Sequence, residues 1–203
     1  MSQRSLTVAV CGATGVVGRT MTQVLLERRF PYDRLKLLAS ARSAGRTMTV
    51  AGREITVEEA TPESFEGVDI ALFSAGGGTS LRLAPEAAAR GCTVIDNSSA
   101  WRMDPAKPLV VANVNPDDLE WHEGIVANPN CSTMQLVPVL MALRDTAGLK
   151  RVVVDTYQSV SGTGNKAIAE LESQIRAHVS GEPKVAQVYP HPDRKSTRLN
   201  SSH

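Results

Sequence analysis

The sequence predicts an α/β fold, because apolar runs of strand length alternate with helical patterns. Residues 6–10 form a β-branched run that leads into a glycine-rich turn and then a helical pattern. Residues 68–73 are almost continuously apolar, as in strands of a parallel sheet that is covered on both faces. Residues 91–96 repeat the strand pattern after a segment of helix length. We therefore expect a Rossmann-like parallel sheet over residues 1–127.

The turn after the first strand carries Gly12, Gly15 and Gly18, with Thr14, Val16 and Val17 between them. This G-x-x-G-x-x-G spacing is a variant of the dinucleotide-binding fingerprint. Its glycines let the backbone approach a pyrophosphate, and the helix that follows presents its positive end to that group. A purely structural turn is the alternative.

The second strand, residues 35–39, is followed by Ser40-Ala41-Arg42-Ser43. An NAD site usually carries an acidic residue at this point, which binds the ribose 2′-hydroxyl. An arginine and hydroxyls suit a 2′-phosphate instead, so Arg42 and Ser43 predict NADP as the cofactor. The alternative is a solvated loop arginine.

Further elements follow in order along the first half of the chain. Residues 49–57 alternate like a hairpin, and residues 74–78 place glycines before a helix over 79–90. Two short strands are expected at residues 110–114 and 124–127.

Arg102 lies in the loop that follows the strand ending at Asp96. At the ligand edge of an open sheet, a guanidinium beside hydroxyls can bind phosphate or carboxylate through paired hydrogen bonds. A surface ion pair is the alternative.

Cys131 follows Asn128-Pro129-Asn130 and opens a helical pattern over residues 132–146. The first turn of a helix has free N–H groups and a partial positive charge, which favour a thiolate and can hold an oxyanion. A buried, unreactive cysteine is the alternative.

A second domain is expected over residues 128–193. It contains a strand at 151–158, a glycine-serine loop at 159–164 and a further amphipathic helix. The last ten residues, 194–203, lack any apolar period, so we expect a tail that is not native.

Composition excludes several classes of protein. A net charge of +1 with interspersed signs gives no basic face for nucleic acid. We expect no secretory signal, no membrane span and no metal cluster. Three cysteines at unrelated spacings favour free thiols in a reducing, cytoplasmic compartment.

Six motifs stand together in a specific order: GATGVVG, SARSAGR, SAGGG, DNSSAWR, NPNCST and TYQSVSGTG. In that order the chain resembles the aspartate-semialdehyde dehydrogenase family over about residues 5 to 190. The resemblance implies reduction of L-aspartyl 4-phosphate by NADPH to L-aspartate 4-semialdehyde and phosphate, a step toward lysine, threonine and methionine. It also implies that the second domain is the beginning of an α+β catalytic and dimerisation domain, in a homodimer.

The resemblance assigns roles to individual residues. Cys131 is the nucleophile that forms a thioester, with Asn130 near the oxyanion, while Gln158 positions the substrate and Arg102 belongs to the phosphate site. The positions that match NADP contacts are Gly12, Thr14, Gly15, Val16, Val17, Arg42, Ser43, Ser161 and Gly162.

Some family features lie downstream of the residues present. These are the general acid/base histidine, an arginine for the substrate carboxylate and a phosphate-site lysine, and His191 does not match the histidine motif. The family also usually reads Val-Pro-Glu-Val-Asn where this chain has residues 111–115 as Val-Ala-Asn-Val-Asn. We therefore expect the chain as written to be incomplete and inactive on its own.

Two alternatives remain open. N-acetyl-γ-glutamyl-phosphate reductase shares the fold plan and the thiol chemistry, although its motif normally has glycine where this chain has Asn130. The other is an inactive NADP-binding fragment that carries the nucleophile without its base.

Overall fold

The computed structural model describes residues 5–189 and contains a seven-stranded sheet of order β3-β4-β2-β1-β5-β6-β7. All neighbouring strands pair in parallel except β3 and β4, which form an antiparallel hairpin. The α/β, Rossmann-like prediction is thus confirmed. The strands are β1 (Thr7–Cys11), β2 (Arg34–Ala39), β3 (Thr47–Val50), β4 (Arg53–Glu59), β5 (Ile70–Phe73), β6 (Thr93–Asp96) and β7 (Ile125–Ala127).

Four α-helices accompany the strands in the described chain: α1 (Val16–Glu27), α2 (Gly77–Ala89), α3 (Cys131–Ala147) and α4 (Asn165–Ser180). Short 3-10 helices occupy Ala41–Ser43, Pro62–Phe65, Pro116–Trp121 and Val160–Thr163. None of the helices that the structure describes has the length and apolar character needed to cross a bilayer.

Both faces of the sheet are buried at the central strands β1 and β2, which explains the continuous apolar runs there. Alternate residues of β1 point to opposite sides, so that Ala9 and Cys11 join one core cluster while Val8 and Val10 join another. The first cluster is completed by apolar residues of α2 and by the stacked rings of Phe65 and Phe73, whose centroids lie 5.4 Å apart.

The turn between β1 and α1 depends on close backbone contact. A Cβ added to Gly18 would lie 2.2 Å from the Gly12 carbonyl oxygen, and one added to Gly12 would lie 2.4 Å from the Ser74 carbonyl oxygen. Gly12 also has a φ of +92°, which disfavours any residue with a side chain. These glycines therefore let α1 and β5 approach the turn.

Two of the expected strands are absent from the described chain. None of residues 110–114 is in a strand, and the isolated bridge nearby joins Leu109, just before them, to Ala127. The backbone then turns, because the Asn115 carboxamide accepts the Val111 N–H at 2.8 Å and so removes that donor from a ladder. The strand prediction for 110–114 is wrong.

The strand expected at residues 151–158 is also wrong. This segment has neither strand nor helix, and Val153 is 76% exposed. A β-branched sequence alone does not make a strand, because pairing with a neighbour supplies the hydrogen bonds.

The contacts divide the chain into two units, with the boundary between Thr156 and Tyr157. The domain boundary at residue 128 stays a prediction, and residues 190–203, including the expected tail, lie outside the described part of the chain.

The second unit is organised by Glu170 of α4, which is 8% exposed. Its carboxylate accepts hydrogen bonds from the backbone N–H groups of Gln187 (2.8 Å), Val188 and Tyr189 (3.4 Å), and from the side chain of Gln174. The bond from Val188 contributes most to lowering the pKa of this carboxyl below its usual 4.5, and burial opposes it.

Gly18→Ala should destabilise the first unit by about 1–3 kcal/mol, because the added methyl group has no room against the backbone of Gly12. Urea denaturation followed by tryptophan fluorescence measures this, since both tryptophans, Trp101 and Trp121, lie in that unit. Gly78→Ala is the matched control, because a Cβ there meets no atom within 4 Å. Equal midpoints for the two variants would contradict the argument.

Glu170→Gln should release residues 187–189, because a neutral amide is a weaker acceptor than the carboxylate. Since the folded pKa is lowered, the carboxylate contribution is present at neutral pH and is lost as the pH falls below 4.5 through the lowered value. Backbone amide chemical shifts of Gln187, Val188 and Tyr189 report both effects. Glu172→Gln, on the exposed side of the same helix, is the control and should leave these shifts unchanged.

Candidate active site

A cleft of about 460 Å³ opens at the carboxyl ends of β1, β2 and β5. Of the predicted cofactor residues, Gly12, Thr14 and Gly15 line it. The missing side chains at Gly12 and Gly18 bring backbone atoms close together there, as a pyrophosphate cradle requires. The cleft is lined by Cys11, Gly12, Thr14, Gly15, Ala39, Ser40, Ala41, Glu59, Ala60, Ser74, Ala75, Thr79 and Arg82.

The start of α1 lies beside this cradle. Gly15 is its N-cap and lines the cleft, and Val16 and Val17 are its first two residues. The first intrahelical bond runs from the Arg19 N–H to the Gly15 oxygen, so the N–H groups before it have no partner within the helix. The arrangement fits the phosphates of a dinucleotide.

Arg42 and Ser43 occupy the 3-10 helix Ala41–Ser43 that follows β2. Their neighbours Ser40 and Ala41 line the cleft, whereas Arg42 is exposed and neither it nor Ser43 is part of the lining. The predicted contact of these two residues with a 2′-phosphate stays a prediction.

Cys131 is the first residue of α3 and its thiol is exposed. Asn130 caps the helix: its side-chain oxygen accepts the Ser132 N–H at 3.0 Å and lies 4.0 Å from the Cys131 Sγ. The predicted position of the cysteine at a helix start is confirmed, and the buried alternative is wrong.

Arg102 joins the loop after β6 to the segment that leads into Cys131. Its Nε donates to the Asn128 carbonyl oxygen at 2.9 Å, and its Nη2 donates to the Asn97 carbonyl oxygen at 3.0 Å. The Asn128 side chain in turn donates to the Asn97 Oδ1 at 2.8 Å. The guanidinium is therefore held against a backbone carbonyl three residues before Cys131. Within residues 5–189 it forms no surface ion pair.

The loop that carries Arg102 is itself fixed. The buried Asp96 carboxylate accepts the N–H and the hydroxyl of Ser98, at 3.2 and 2.6 Å. The Trp101 Nε1 donates to the Ser80 hydroxyl of α2 at 2.8 Å. Sequence analysis missed Asn97 and Asn128 as members of this network, although both follow strands that end at the same edge of the sheet.

Gln158, Ser161 and Gly162 lie in the second unit. Ser161 shares a 2.9 Å hydrogen bond between hydroxyls with Ser159, and the Gly162 N–H donates to the Ser159 carbonyl oxygen at 3.3 Å. Their contacts with substrate and cofactor stay predictions. Within residues 5–189, no group of three or more metal-ligating side chains occurs.

The other two cysteines differ from Cys131. Cys11 is fully buried and Cys92 is 1% exposed. Burial raises the pKa of each thiol from 9.0 to about 12, which leaves little thiolate at neutral pH.

Two family models match the chain. Residues 7–122 match the NAD binding domain of semialdehyde dehydrogenases, and residues 140–199 match their dimerisation domain. The chain belongs to the semialdehyde dehydrogenase family. Its fold class and its nucleotide-binding domain agree with that membership.

The similar proteins are aspartate-semialdehyde dehydrogenases. That of Bacillus subtilis is 56% identical over 92% of this chain and 54% of its own length, and that of Aquifex aeolicus is 57% identical over 91% and 55%. The crystal structure of aspartate semialdehyde dehydrogenase II from Vibrio cholerae, complexed with ASA, matches with a TM-score of 0.86 and 44% identity, over 93% of this chain and 57% of that one.

A more distant structure is aspartate semialdehyde dehydrogenase with NADP from Candida albicans. It matches with a TM-score of 0.59 and 26% identity, over 71% of this chain and 48% of that one. The chain spans about half the length of the curated relatives it matches.

Brief iodoacetamide treatment of the protein at neutral pH should label Cys131 far more than Cys11 or Cys92, since only Cys131 among the three is exposed. Peptide mass mapping measures the distribution of the label. In urea the three thiols should react at similar rates, which controls for peptide recovery. Equal labelling in the folded protein would contradict the conclusion that Cys131 is the accessible thiol.

Proposed function

We propose that the protein catalyses NADPH-dependent reduction of L-aspartyl 4-phosphate to L-aspartate 4-semialdehyde and phosphate, in lysine, threonine and methionine biosynthesis. The observation that carries the proposal is the exposed Cys131 at the start of α3. Arg102 donates a hydrogen bond to the carbonyl oxygen of Asn128, three residues before this cysteine. The names of the similar enzymes supply the substrate class. The activity of the whole protein is proposed, because the chain spans about half the length of those enzymes.

The cofactor binds at the glycine turn that precedes α1. Gly12, Thr14 and Gly15 line the cleft. The N–H groups of Val16 and Val17, the first two residues of α1, would donate to a pyrophosphate bound there. Arg42 and Ser43, after β2, are the proposed source of a preference for NADP, with Ser161 and Gly162 completing the site. When bound, NADPH supplies the hydride that reduces the acyl group.

The nucleophile is the Cys131 thiolate. It attacks the acyl carbon of the substrate, so that a C–S bond forms, the C–O bond to phosphate breaks and inorganic phosphate leaves. After reduction the C–S bond breaks, and the sulfur leaves as thiolate while the aldehyde departs. Backbone N–H groups at the start of α3, with Asn130 beside them, stabilise the negative charge that develops on the acyl oxygen.

Arg102 binds the substrate phosphate. Two of its five N–H donors are used on the Asn97 and Asn128 carbonyl oxygens in the described chain, so three remain for a substrate. Because those two bonds fix the guanidinium plane, little side-chain entropy is lost when the phosphate binds. Gln158 is proposed to position the substrate near the thiol.

Assembly and location complete the proposal. The match of residues 140–199 to a dimerisation domain supports a homodimer. An exposed, reactive thiol is best maintained in a reducing compartment, which supports a cytoplasmic location.

The test uses the reverse reaction, in which aspartate semialdehyde, phosphate and NADP⁺ yield NADPH absorbance. Cys131→Ala should lower the rate by a factor on the order of 10³ or more, because no other group replaces the thiolate. Cys92→Ala, which removes a buried thiol remote from the reaction, is the control. A second assay replaces aspartate semialdehyde by N-acetylglutamate semialdehyde. Faster turnover of this substrate would indicate the alternative function, that of N-acetyl-γ-glutamyl-phosphate reductase.

A second measurement separates an inactive fragment from a wrong assignment. The protein is incubated with L-aspartyl 4-phosphate without nucleotide, and mass spectrometry locates any acyl adduct. An adduct on Cys131 without turnover would show a competent nucleophile in a chain that lacks further catalytic groups. If the protein forms no adduct and shows no turnover, the proposed function is refuted.

A further inference from the structure

We propose that Arg82 of α2 binds the 2′-phosphate of the cofactor alongside Arg42 and Ser43 and thereby strengthens the preference for NADPH over NADH. The inference rests on the proposed function, since it assigns a residue to the same nucleotide site. Neither the glycine fingerprint nor the Ser40-Ala41-Arg42-Ser43 motif contains this arginine. Its evidence is the position and charge of the side chain in the cleft.

Arg82 lines the cleft together with Thr79, Ser40 and Ala41. Thr79 and Arg82 are three residues apart on α2, so they lie on one face of the helix in adjacent turns. That face forms a wall of the cleft, and Ser40 and Ala41, which follow β2, also contribute to the lining. The guanidinium and the β2 loop thus border the same space.

This part of the cleft is its adenosine end. In doubly wound folds the ribose 2′ position lies beside the carboxyl end of the strand after the glycine-turn helix, which is β2 here. The last residue of β2, Ala39, pairs with Glu59, the last residue of β4. The 3-10 helix Pro62–Phe65 follows directly and packs against α2, which places α2 beside these strand ends.

The charge of Arg82 is available for a ligand. Within residues 5–189 its guanidinium takes part in none of the salt bridges or hydrogen bonds, whereas Arg90, the C-cap residue of the same helix, pairs with Glu86 at 2.8 Å. The Arg82 charge is close enough to the floor of the cleft to oppose the burial that raises the pKa of Cys11. Among the residues lining the cleft, all within the described chain, Arg82 is the only cation.

Glu59 opposes Arg82 in this cleft, because its negative charge disfavours a bound 2′-phosphate. Its carboxylate also lines the cleft and suits a ribose 2′-hydroxyl, as in an NAD site. It would repel a 2′-phosphate in the absence of a nearby cation. A guanidinium in the same cleft reverses that balance, because it supplies planar donors that match phosphate oxygens.

The experiment compares NADPH and NADH binding to the protein and to single variants by nucleotide fluorescence titration. Arg82→Ala should weaken NADPH binding by about tenfold, a typical loss for one charge-assisted phosphate contact, and change NADH binding less than twofold. Arg82→Lys should retain part of the preference. Arg90→Ala, which removes the same charge from the same helix outside the cleft, should change neither affinity.

The adenosine bisphosphate 2′,5′-ADP is a second probe, because it carries the 2′-phosphate without the nicotinamide. Its affinity for the Arg82→Ala variant should fall by about the same factor as the affinity of NADPH. Glu59→Gln should strengthen binding of both 2′-phosphorylated ligands, since it removes the repulsive charge.

The outcomes separate this inference from the proposed function. Unchanged binding of NADPH to Arg82→Ala, or an equal loss for NADPH and NADH, would overturn the role of Arg82 and leave the proposed enzyme intact. A wild-type protein that binds neither nucleotide would overturn the proposed function, and the inference with it. Because Arg82 is exposed, the variant should keep the thermal midpoint of the parent, which excludes loss of folding as the cause.

Discussion

The candidate site depends on the guanidinium of Arg102, which is shared between two backbone carbonyl groups. One belongs to Asn97, directly after β6, and the other to Asn128, directly after β7. β6 and β7 are parallel neighbours, so both loops leave the sheet at the same edge. A hydrogen bond from the Asn128 side chain to the Asn97 side chain joins the same two loops. Because these bonds join two loops far apart in sequence, the position of the segment before Cys131 and that of the Arg102 guanidinium are set by one network.

The sequence predicted the sheet well where burial on both faces imposed continuous apolar runs, as in β1, β5 and β6. It failed at residues 110–114 and 151–158, where the same β-branched composition occurs without a ladder. At the first of these a side chain decides, because Asn115 takes the Val111 N–H. At the second no strand of the described chain pairs with it. β-propensity measures how a residue fits a paired and half-buried surface, so it predicts little where the partner is missing.

The site was predictable to the extent that its chemistry is local. Cys131 and Asn130 are adjacent, and a capping asparagine before a cysteine can be recognised in the sequence. The glycine cradle is likewise contained in seven residues, Gly12 to Gly18. Arg82, Glu59, Asn97 and Asn128 were missed because each depends on the order of strands in the sheet. The order of the strands decides that Arg82 and Glu59 line the same cleft. No short sequence motif contains that information.

The two parts of the site differ in how they are held. The cradle is enclosed by backbone contacts among Gly12, Gly18 and Ser74 and by a buried strand, so its shape is fixed by packing. No residue of α3 is buried in the described chain, and Pro138 removes one intrahelical hydrogen bond. Within the described chain, the Cys131 backbone is therefore held from its N-terminal side, by the Asn130 cap and by the bond between Arg102 and Asn128.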